Sequence, residues 1–563
     1  MLPLLQAAQN LERNYYFEDL IAYTEDNIKV RKICWCDAPT QIQERFFCAY
    51  FGQFGRILEV HILRPGNELQ IFQSGHVIYA EATDAARALR ASDYSVFTVQ
   101  ASDSWEQPDA YGTPEQLTFF QETSLFSILN DDCLRQIVLE LGLQDQVRFA
   151  RTCPRFRAVL ERTPARLHSS VDLGEFRNMT AWEMREFFQM FGTRVQDFHG
   201  RFETDHMERL AEFIRDYCVN LKSMQVLCSP QIGLYMHTIF SKGYQLEELM
   251  LHNSQIADEP LLDLQNLVHL KKLNLSWNLL TGRTLDRLPN SIEVLGLNGC
   301  RGLETRYLPG ICSNLPNLKE LNIQNINTSP KKVFRTMAVE NSCPSLEMLR
   351  VSAHPWTTYD YVPSLPQLKH LSIYSDVTND IQFTDRLCIN LIGGLVQHKS
   401  TQLEQLEMFG FVSVPMRQLG QIARLKGLRV LIMPNTDFPN VWLPTFENLN
   451  QLERICFRRS SAIDDMILYL FCLCSKLNYL RLEECTQIDI NLVRRIANRV
   501  RQEIARNVNQ RRLPIELWLS MKDEQINALK LANPGVVAED IIQIKCTDHQ
   551  NLRHDTGIEL FEQ

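Results

Sequence analysis

Cysteine and histidine side chains could bind a metal ion or act as nucleophiles, and the chain of 563 residues contains 16 cysteines and 13 histidines. The closest cysteine pairs, Cys34/Cys36 and Cys472/Cys474, have one residue between them, and no C-x-x-C spacing occurs. This spacing argues against zinc ribbons, RING-type sites and dithiol redox chemistry. We therefore predict no metal site and no cofactor, with thiols that are reduced and mostly buried.

No catalytic motif accompanies these residues. The chain contains no glycine-rich phosphate-binding loop, no H-E-x-x-H and no G-x-S-x-G. His252 and His370 fall on strand positions from which they could contact a ligand, although a simple surface role is commoner. The sequence thus predicts a binding protein without catalytic residues.

Charge and hydropathy argue against a membrane protein and limit any nucleic-acid site to a local patch. The 58 basic and 67 acidic residues give a formal charge of −9, which supplies no bulk attraction to nucleic acid or anionic membranes. No run of about 18 uncharged apolar residues occurs, and the N-terminus lacks the basic and apolar segments of a signal peptide. We expect a protein of the cytoplasm, the nucleus or both that does not cross a membrane.

The motif L-x-x-L-x-L recurs through the C-terminal two-thirds of the chain. Its ten copies start at Leu246, Leu270, Ile292, Leu318, Leu346, Leu368, Leu403, Leu428, Leu452 and Leu477. The intervals are 24, 22, 26, 28, 22, 35, 25, 24 and 25 residues, and nearly all fall in the range of leucine-rich repeats, which the pattern resembles. Such units bury their leucines only by stacking. We predict a solenoid over residues 166–548, with Asn278 and Asn298 in the turns after their strands.

Positions between the repeated leucines project from the concave face of such a solenoid. We predict that the target-binding residues there are Tyr374, Phe409, Val430, Ile432, Arg454, Arg458 and Arg481. Exposed apolar groups beside charged ones are typical of a protein-binding surface. The polar insertion over residues 376–386, which we expect to be a loop, offers an alternative, because it could cover these side chains. The two interpretations have equal weight.

Residues 28–102 read as strand, helix, strand, strand, helix, strand and resemble the RNA recognition motif, a ferredoxin-like α+β fold. The resemblance rests on scaffold residues such as Phe47, Phe51 and Gly75. The family binds RNA by stacking bases on aromatic rings of its two central strands. Here Cys34, Ser74 and His76 occupy the stacking positions. The resemblance therefore implies the fold without the usual RNA contact, and a protein-binding role is favoured.

Residues 123–165 follow a predicted linker over residues 103–122 and read as a helical hairpin that resembles the F-box. Asn130 stands where that family usually has proline, and Phe156 replaces its usual tryptophan. The alternative interpretation is a helical cap for the solenoid. By the resemblance, the residues that would dock on a Skp-type adaptor are Leu129, Ile137, Leu141, Leu143 and Phe156.

Together these segments predict a multidomain α/β protein with a ferredoxin-like domain, a short helical F-box and an α/β solenoid. The resemblance implies a non-catalytic substrate-recognition subunit of a cullin-type (SCF) ubiquitin ligase, with a Skp-type adaptor, a cullin scaffold and an unknown target protein as partners. The alternative is an RNA-binding or mRNA-export factor. A basic helix bearing Arg494, Arg495 and Arg499 would serve that function, although a solvated outer face is the commoner explanation.

Overall fold

A computed structural model describes most of the chain, which divides into two compact units. The first unit contains residues 1–196 and 202–220, and the second contains residues 197–201 and 221–563. The predicted solenoid starts at residue 166, whereas the units divide near residue 220. The described residues are 15–24, 26–63, 72–91, 97–110, 129–152, 154–242, 245–327, 331–353, 359–375, 381–409, 416–434, 443–458, 464–483, 485, 490–519 and 540–546.

The first unit begins with two small antiparallel sheets. Its elements are β1 (Tyr15–Glu18), β2 (Ile21–Thr24), β3 (Lys32–Pro39), α1 (Glu44–Gly52), β4 (Ile57–Leu63), β5 (Phe72–Tyr79), α2 (Ala82–Ala91) and β6 (Thr98–Ala101). The strands β1 and β2 pair with each other, and the other four form a sheet in the order β4-β5-β3-β6. The strand and helix order over residues 28–102 is the predicted one.

The core of the four-stranded sheet is aromatic. The Trp35 ring stacks on Phe47 with centroids 4.6 Å apart, and Phe51 packs beside them at 5.4 Å from Trp35. Alternate residues of β5 face this core, as expected for a strand with one buried side. Gly75 is required there because a Cβ would lie 2.3 Å from the Trp35 ring and from the His61 carbonyl oxygen.

The hairpin of β1 and β2 is an addition that the sequence analysis did not foresee. Its turn contains Asp19 with a φ of 52°. The Arg90 guanidinium at the end of α2 donates to the Asp19 carbonyl at 2.6 Å and lies over the Phe17 ring at 4.6 Å. These contacts hold the hairpin against α2.

The rest of the first unit is mainly helical. Its elements are α3 (Asp131–Leu139), α4 (Leu143–Thr152), α5 (Pro154–Glu161), β7 (Ser170–Asp172), α6 (Ala181–Phe191) and α7 (Met207–Tyr217). The predicted hairpin over residues 123–165 therefore contains a third helix, α5, which starts at Pro154. Proline is well accommodated in a first helical turn because the backbone N–H that it lacks would have no partner there.

The second unit contains a long parallel sheet whose strands follow one another in sequence order. They are β8 (Asp197–Gly200), β9 (Ser223–Leu227), β10 (Glu248–His252), β11 (Lys272–Asn274), β12 (Val294–Gly296), β13 (Glu320–Ile323), β14 (Met348–Ser352), β15 (His370–Tyr374), β16 (Gln405–Phe409), β17 (Val430–Pro434), β18 (Arg454–Arg458), β19 (Tyr479–Glu483), β20 (Ile515–Leu519) and β21 (Ile542–Cys546). Each motif aligns its second apolar residue with that of the next, as Leu349 aligns with Leu371 and Leu406. This arrangement is solenoid-like.

Helices and 3-10 turns return the chain between these strands. The helices are α8 (Ile232–Phe240), α9 (Leu308–Asn314), α10 (Lys331–Val339), α11 (Ile381–Lys399), α12 (Met416–Ile422), α13 (Asp464–Leu473) and α14 (Ile490–Ala505). The expectation of a loop over residues 376–386 is wrong from Ile381 onward, because α11 begins there. The buried side chains Leu391, Ile392 and Leu395 in α11 have the spacing of a helix face. Among the described helices, none is both long and apolar enough to span a membrane.

The turn after each of five consecutive strands contains a residue with positive φ. These residues are Cys228, Asn253, Trp277, Gly299 and Asn325. In the first four repeats of the predicted ten, this residue lies seven positions after the first apolar residue of the motif. The turn is therefore a repeated backbone feature, in which the residue type varies and the left-handed conformation does not.

Asn278 joins neighbouring turns through its side-chain amide, as predicted. Its Oδ1 accepts from the backbone N–H groups of Ser254 and Ile256 at 3.0 and 3.1 Å. Its Nδ2 donates to the carbonyl oxygens of Leu251 and Leu275, the latter at 2.9 Å. The amide thus satisfies buried backbone groups of two repeats at once.

Candidate functional site

The helices α3, α4 and α5 form a small cluster around buried aliphatic side chains. Asn130, which stands where the F-box family usually has proline, caps α3 by accepting from the Cys133 backbone N–H at 2.8 Å. At the same end of α3, Arg155 of α5 donates to the Leu129 carbonyl at 2.6 Å and to Asp131 at 2.8 Å. The start of α3 and the start of α5 are therefore tied together.

The five residues predicted to dock on an adaptor differ in accessibility. Ile137 is 39% exposed, whereas Leu129 and Leu141 are half-buried. Phe156 is also half-buried, and its ring lies parallel to that of Phe149 with centroids 4.1 Å apart. Leu143 is buried in the core, so the structure does not place it on an exposed docking surface.

Sequence reasoning missed Leu139, which is 36% exposed and lies on α3 two residues after Ile137. Apolar periodicity could not select it, because Leu134 and Val138 already account for the buried side of α3. Two large aliphatic side chains on one short helix therefore remain accessible in this chain. Exposed groups of this kind are typical of an interaction surface.

Glu183 fixes α4 to α6. Its side chain is almost fully buried and accepts hydrogen bonds from Arg148 and from Gln144 on α4, the latter at 2.9 Å. It also accepts from the Thr180 backbone N–H at 3.1 Å as half of a capping box. Burial raises the pKa of Glu183, but the hydrogen bonds from Gln144, Arg148 and Thr180 outweigh it and bring the pKa below its usual value.

A second ion pair fixes α5 to the same helix. Arg157 donates to Glu186 of α6 at 2.6 Å, and the Trp182 indole N–H donates to the other Glu186 oxygen at 3.2 Å. Like Glu183, Glu186 is buried. A buried carboxylate with hydrogen-bond partners sets the position of the groups around it, because leaving it unpaired is strongly unfavourable.

The N-terminal domain, which precedes α3 and contains β1 to β6, contacts α4 and the start of α6 through Asp26. Asp26 accepts from the Thr180 hydroxyl at 2.8 Å and lies 3.6 Å from the Arg151 guanidinium of α4. That guanidinium in turn lies over the Trp182 ring at 4.0 Å. One carboxylate therefore links the N-terminal domain to both α4 and α6.

The first residues of the predicted linker over residues 103–122 are packed rather than extended. Asp103 pairs with Arg209 of α7 at 2.8 Å, and the Trp105 ring lies 4.9 Å from the Arg185 guanidinium of α6. Gln107 is buried and bonds to the backbone of Lys32 in β3. The N-terminal domain, α3–α5 and α6–α7 are thus joined within the first unit.

In the second unit, the structure describes five of the seven predicted target-binding side chains. Tyr374, Val430 and Ile432 are half-buried, and Arg454 is exposed. Arg481 is half-buried and paired with Glu483. The side chains of Phe409 and Arg458 lie outside the described residues.

Aromatic rings and cations gather at the C-terminal strands, beyond the residues predicted from the sequence. Arg454 lies over Tyr479 at 5.6 Å, and Arg481 lies over Trp518 at 5.7 Å. Lys545 approaches the same Trp518 ring at 5.1 Å while pairing with Glu516. Alternation along β20 could have predicted that Trp518 projects from the accessible side of the sheet, because its neighbours Leu517 and Leu519 are buried on the other side.

The predicted stacking positions of the four-stranded sheet carry no aromatic ring of Phe, Tyr or Trp. Cys34, Ser74 and His76 are half-buried, and the His76 ring lies 5.2 Å from that of His61. Burial raises the pKa of the Cys34 thiol to about 11, so it stays protonated near neutral pH. Burial is also the largest influence on His76 and lowers its pKa. This face carries a thiol, a hydroxyl and imidazoles at the stacking positions.

The basic residues of α14 have acidic neighbours. Arg495 pairs with Asp465 of α13, and Arg499 pairs with Glu503 at 2.8 Å. Arg494 also has an interaction partner. This arrangement agrees with a solvated outer face whose charges are balanced locally.

Within the described ranges, no three His, Cys, Asp or Glu residues lie close enough together to hold a metal ion.

Comparison with protein families identifies the helical cluster. The F-box domain family matches residues 126–164, a segment that includes α3, α4 and α5. A search of curated proteins finds none that matches the chain. The chain therefore contains an F-box domain at residues 126–164, which supports its assignment as an F-box protein.

Proposed function

We propose that this chain is the substrate-recognition subunit of a cullin-type (SCF) ubiquitin ligase. The F-box domain would bind a Skp-type adaptor, and the adaptor would bind the cullin scaffold. The F-box match over residues 126–164 is the observation that carries the proposal. The exposed Ile137 and Leu139 support it, because burying aliphatic groups of this size drives most protein association.

The F-box domain is held rigidly for this role. Glu183 and Glu186 fix α4 and α5 to α6 through Arg148 and Arg157. The two carboxylates are buried whereas their arginines are partly exposed, so each contact fixes the position of a helix by giving a buried carboxylate its partner. A substrate receptor works by positioning, and a rigid mounting for its docking helices suits that task.

The second unit would bind the target protein. We interpret its parallel strands as leucine-rich repeats, because the repeated leucines align across neighbouring strands. Target binding is proposed for the concave face, where Val430, Ile432 and Arg454 combine apolar and charged groups. Holding a target near a ubiquitin-charged enzyme raises its effective concentration, and no catalytic group of this chain is needed.

The N-terminal domain would support the F-box rather than bind RNA. Asp26 contacts Thr180 and Arg151, and Asp103 contacts Arg209. We interpret the domain as a degenerate RNA-recognition-motif-like fold, whose stacking positions hold Cys34, Ser74 and His76. With base stacking worth about 1–3 kcal/mol per base, replacing the rings removes most of the RNA affinity of so small a domain.

Co-purification with a Skp-type adaptor and a cullin tests the proposal directly. The double substitution Ile137→Ala with Leu139→Ala should lower adaptor affinity at least tenfold, since two exposed aliphatic anchors are lost. Val219→Ala removes an even more exposed aliphatic group from the same unit and should leave the affinity unchanged. Adaptor binding that survives the double substitution in a folded protein would show that the F-box is not used in this way.

A further inference from the structure

Lysine is absent from a long part of the chain. No lysine occurs between Lys32 and Lys222, although the 189 residues between them contain 18 arginines. From residue 222 onward the chain has 14 lysines and 22 arginines, and at that ratio about seven of the 18 would be lysines. The lysine-free stretch, residues 33–221, contains the F-box domain and most of the first unit.

Some of these arginines have contacts that lysine could not make. The Arg194 guanidinium donates from two different nitrogens to the carbonyl oxygens of Thr163 and Glu161. The Arg151 guanidinium lies over the Trp182 ring at 4.0 Å. Such contacts use the planar fork of the guanidinium, which a lysine ammonium does not have. At these positions the fold itself accounts for arginine.

Exposed arginines of the same stretch make contacts that lysine could make equally well. The side chain of Arg162 is 77% exposed and lies 3.9 Å from Asp131. The side chain of Arg177 is 64% exposed and lies 3.6 Å from Glu203. Exposed ion pairs contribute little to stability, and a single contact at this distance makes no use of the planar fork. The fold therefore does not require arginine at these two positions.

The second unit uses lysine in ion pairs of this exposed kind. Lys271 pairs with Glu247 at 3.0 Å, and Lys319 pairs with Glu293 at 2.6 Å. Both lysine side chains are about half exposed. Lysine is thus accepted at exposed ion pairs in one unit of the chain and missing from them in residues 33–221, so the difference calls for a reason other than folding.

Lysine and arginine differ in the reaction that a ubiquitin ligase promotes. A neutral lysine amine attacks the carbonyl carbon of the thioester that holds ubiquitin on its carrier enzyme. A C–N bond forms, the C–S bond breaks, the enzyme thiolate leaves and the amine gives up a proton to the solvent. Near neutral pH about one lysine amine in a thousand is neutral, whereas a guanidinium stays protonated and delocalised. Replacing lysine with arginine therefore keeps the charge and removes the acceptor.

A substrate receptor is exposed to this reaction itself. Groups held in one assembly have effective concentrations in the millimolar range, so a lysine of the receptor within reach of the charged enzyme competes with the target for ubiquitin. The first unit contains two lysines, both before the stretch. Lys32 is largely buried and pairs with Glu106 at 3.1 Å, and Lys29 is exposed.

We propose that the absence of lysine from residues 33–221 prevents the ligase from attaching ubiquitin to the F-box part of its own receptor. The lysines of the second unit, together with Lys29, are then the acceptors that remain on this chain. This inference rests on the proposed function, because only a subunit of a ubiquitin ligase is held close to the charged enzyme. It adds a regulatory property, namely protection of the receptor during turnover of its targets.

Self-modification of the full chain in a reconstituted ligase tests the proposal. The chain, a Skp-type adaptor, the cullin scaffold and a charged carrier enzyme are combined with lysine-free ubiquitin, and mass spectrometry of peptides locates each attachment. The unchanged chain should carry no ubiquitin within residues 33–221. Arg162→Lys and Arg177→Lys should each gain ubiquitin at the substituted position, and the double variant should be modified about threefold faster than the unchanged chain. Thermal unfolding and adaptor binding show that each variant remains folded.

Two exposed arginines of the second unit provide the matched control. Arg283→Lys and Arg301→Lys add lysines to a unit that already has many, and together they should raise the rate less than about 1.5-fold.

Three results overturn the proposal while the adaptor remains bound. They are no ubiquitin at positions 162 and 177 in the folded variants, ubiquitin on serine, threonine or cysteine side chains within residues 33–221 of the unchanged chain, and no transfer to any residue of the chain. An unchanged chain that does not bind the adaptor contradicts the proposed function instead, and the binding measurement separates the two cases.

Discussion

The Arg511 guanidinium lies entirely out of contact with solvent and donates from its Nε to Glu503 Oε2 at 3.0 Å. Its other nitrogens donate to the carbonyl oxygens of Phe471, Cys474 and Leu477 at 2.7 to 2.9 Å. Phe471 belongs to the last turn of α13, where carbonyl groups have no partner within the helix. One buried side chain therefore ends α13 and joins it to the residues after α14.

Arg511→Met should destabilise the C-terminal strands by about 3–5 kcal/mol, because Glu503 and three carbonyl groups would lose their buried partner. Hydrogen exchange of the α13 and β19 peptides reports this local loss. Arg512→Met, which alters the exposed neighbour, should change protection by less than about 0.5 kcal/mol. Equal protection in the two variants would mean that the Arg511 contacts contribute little.

Gly299→Ala should destabilise the second unit by about 1–3 kcal/mol. Gly299 has a φ of 72°, and a Cβ there would lie 2.5 Å from the Trp277 ring of the preceding repeat. Adding Trp277→Ala to Gly299→Ala removes the clash and should recover part of the lost stability. Calorimetry of the unchanged chain, the two single variants and the double variant measures this recovery. As a control, Gly310→Ala lies in α9 with open space around the added Cβ and should be neutral or slightly stabilising.

Stability of the first unit should fall as the pH drops below about 6.5. Burial, with a smaller contribution from Arg194, lowers the pKa of His168 to about 4. The unfolded chain has a histidine pKa near 6.5, so between these values it binds more protons than the folded chain and is favoured by acid. The contribution of His168 is thus fully present above pH 6.5 and is lost between about 6.5 and 4.

His168→Phe should flatten this part of the pH profile, since the site already packs against the rings of Phe187 and Phe191. Calorimetric unfolding temperatures between pH 7 and 4.5 measure the slope. His269→Gln changes an exposed histidine and should leave the slope as it is. An unchanged slope in His168→Phe would assign the acid sensitivity to other groups.

Glu183→Gln should weaken the attachment of the F-box helices to α6. The amide carries no charge and has only one acceptor oxygen for the donors Arg148 and Gln144, so the charge-assisted hydrogen bond is lost at a buried position. The pKa of Glu183 lies below its usual value, so its contribution is present above the ordinary carboxyl pKa and is lost as the pH falls through the lowered one. Protease sensitivity of residues 131–161 at pH 7 should rise in Glu183→Gln and not in Glu175→Gln, an exposed control.

The sequence predicted those elements that depend on repeated apolar positions. Leu349, Leu371 and Leu406 lie in register because each leucine can be buried only by its neighbours. The F-box helices were also recognisable, because Leu134 and Val138 mark the buried side of α3. Local spacing was sufficient in both cases.

Features that depend on contacts between distant residues were not predictable in this way. The hairpin of β1 and β2 is short, and its position depends on Arg90, which lies about 70 residues away in the chain. Arg350 Nε and Ser372 Oγ, which lie opposite each other on β14 and β15, are buried without a hydrogen-bond partner. Periodicity reports which side chains are buried, but it does not report which polar atoms are left without a partner.

The contacts of Asp26, Glu183 and Glu186 determine which fragments of this protein keep the native contacts of the F-box helices. A fragment ending at residue 164 would contain Arg148 and Arg157 but neither Glu183 nor Glu186, the buried carboxylates with which they pair. A fragment beginning at residue 123 would keep those carboxylates, provided that it extended past α6, but would lose Asp26, the acceptor for the Thr180 hydroxyl. The smallest piece in which the F-box keeps these three contacts therefore begins before Asp26 and ends after α6.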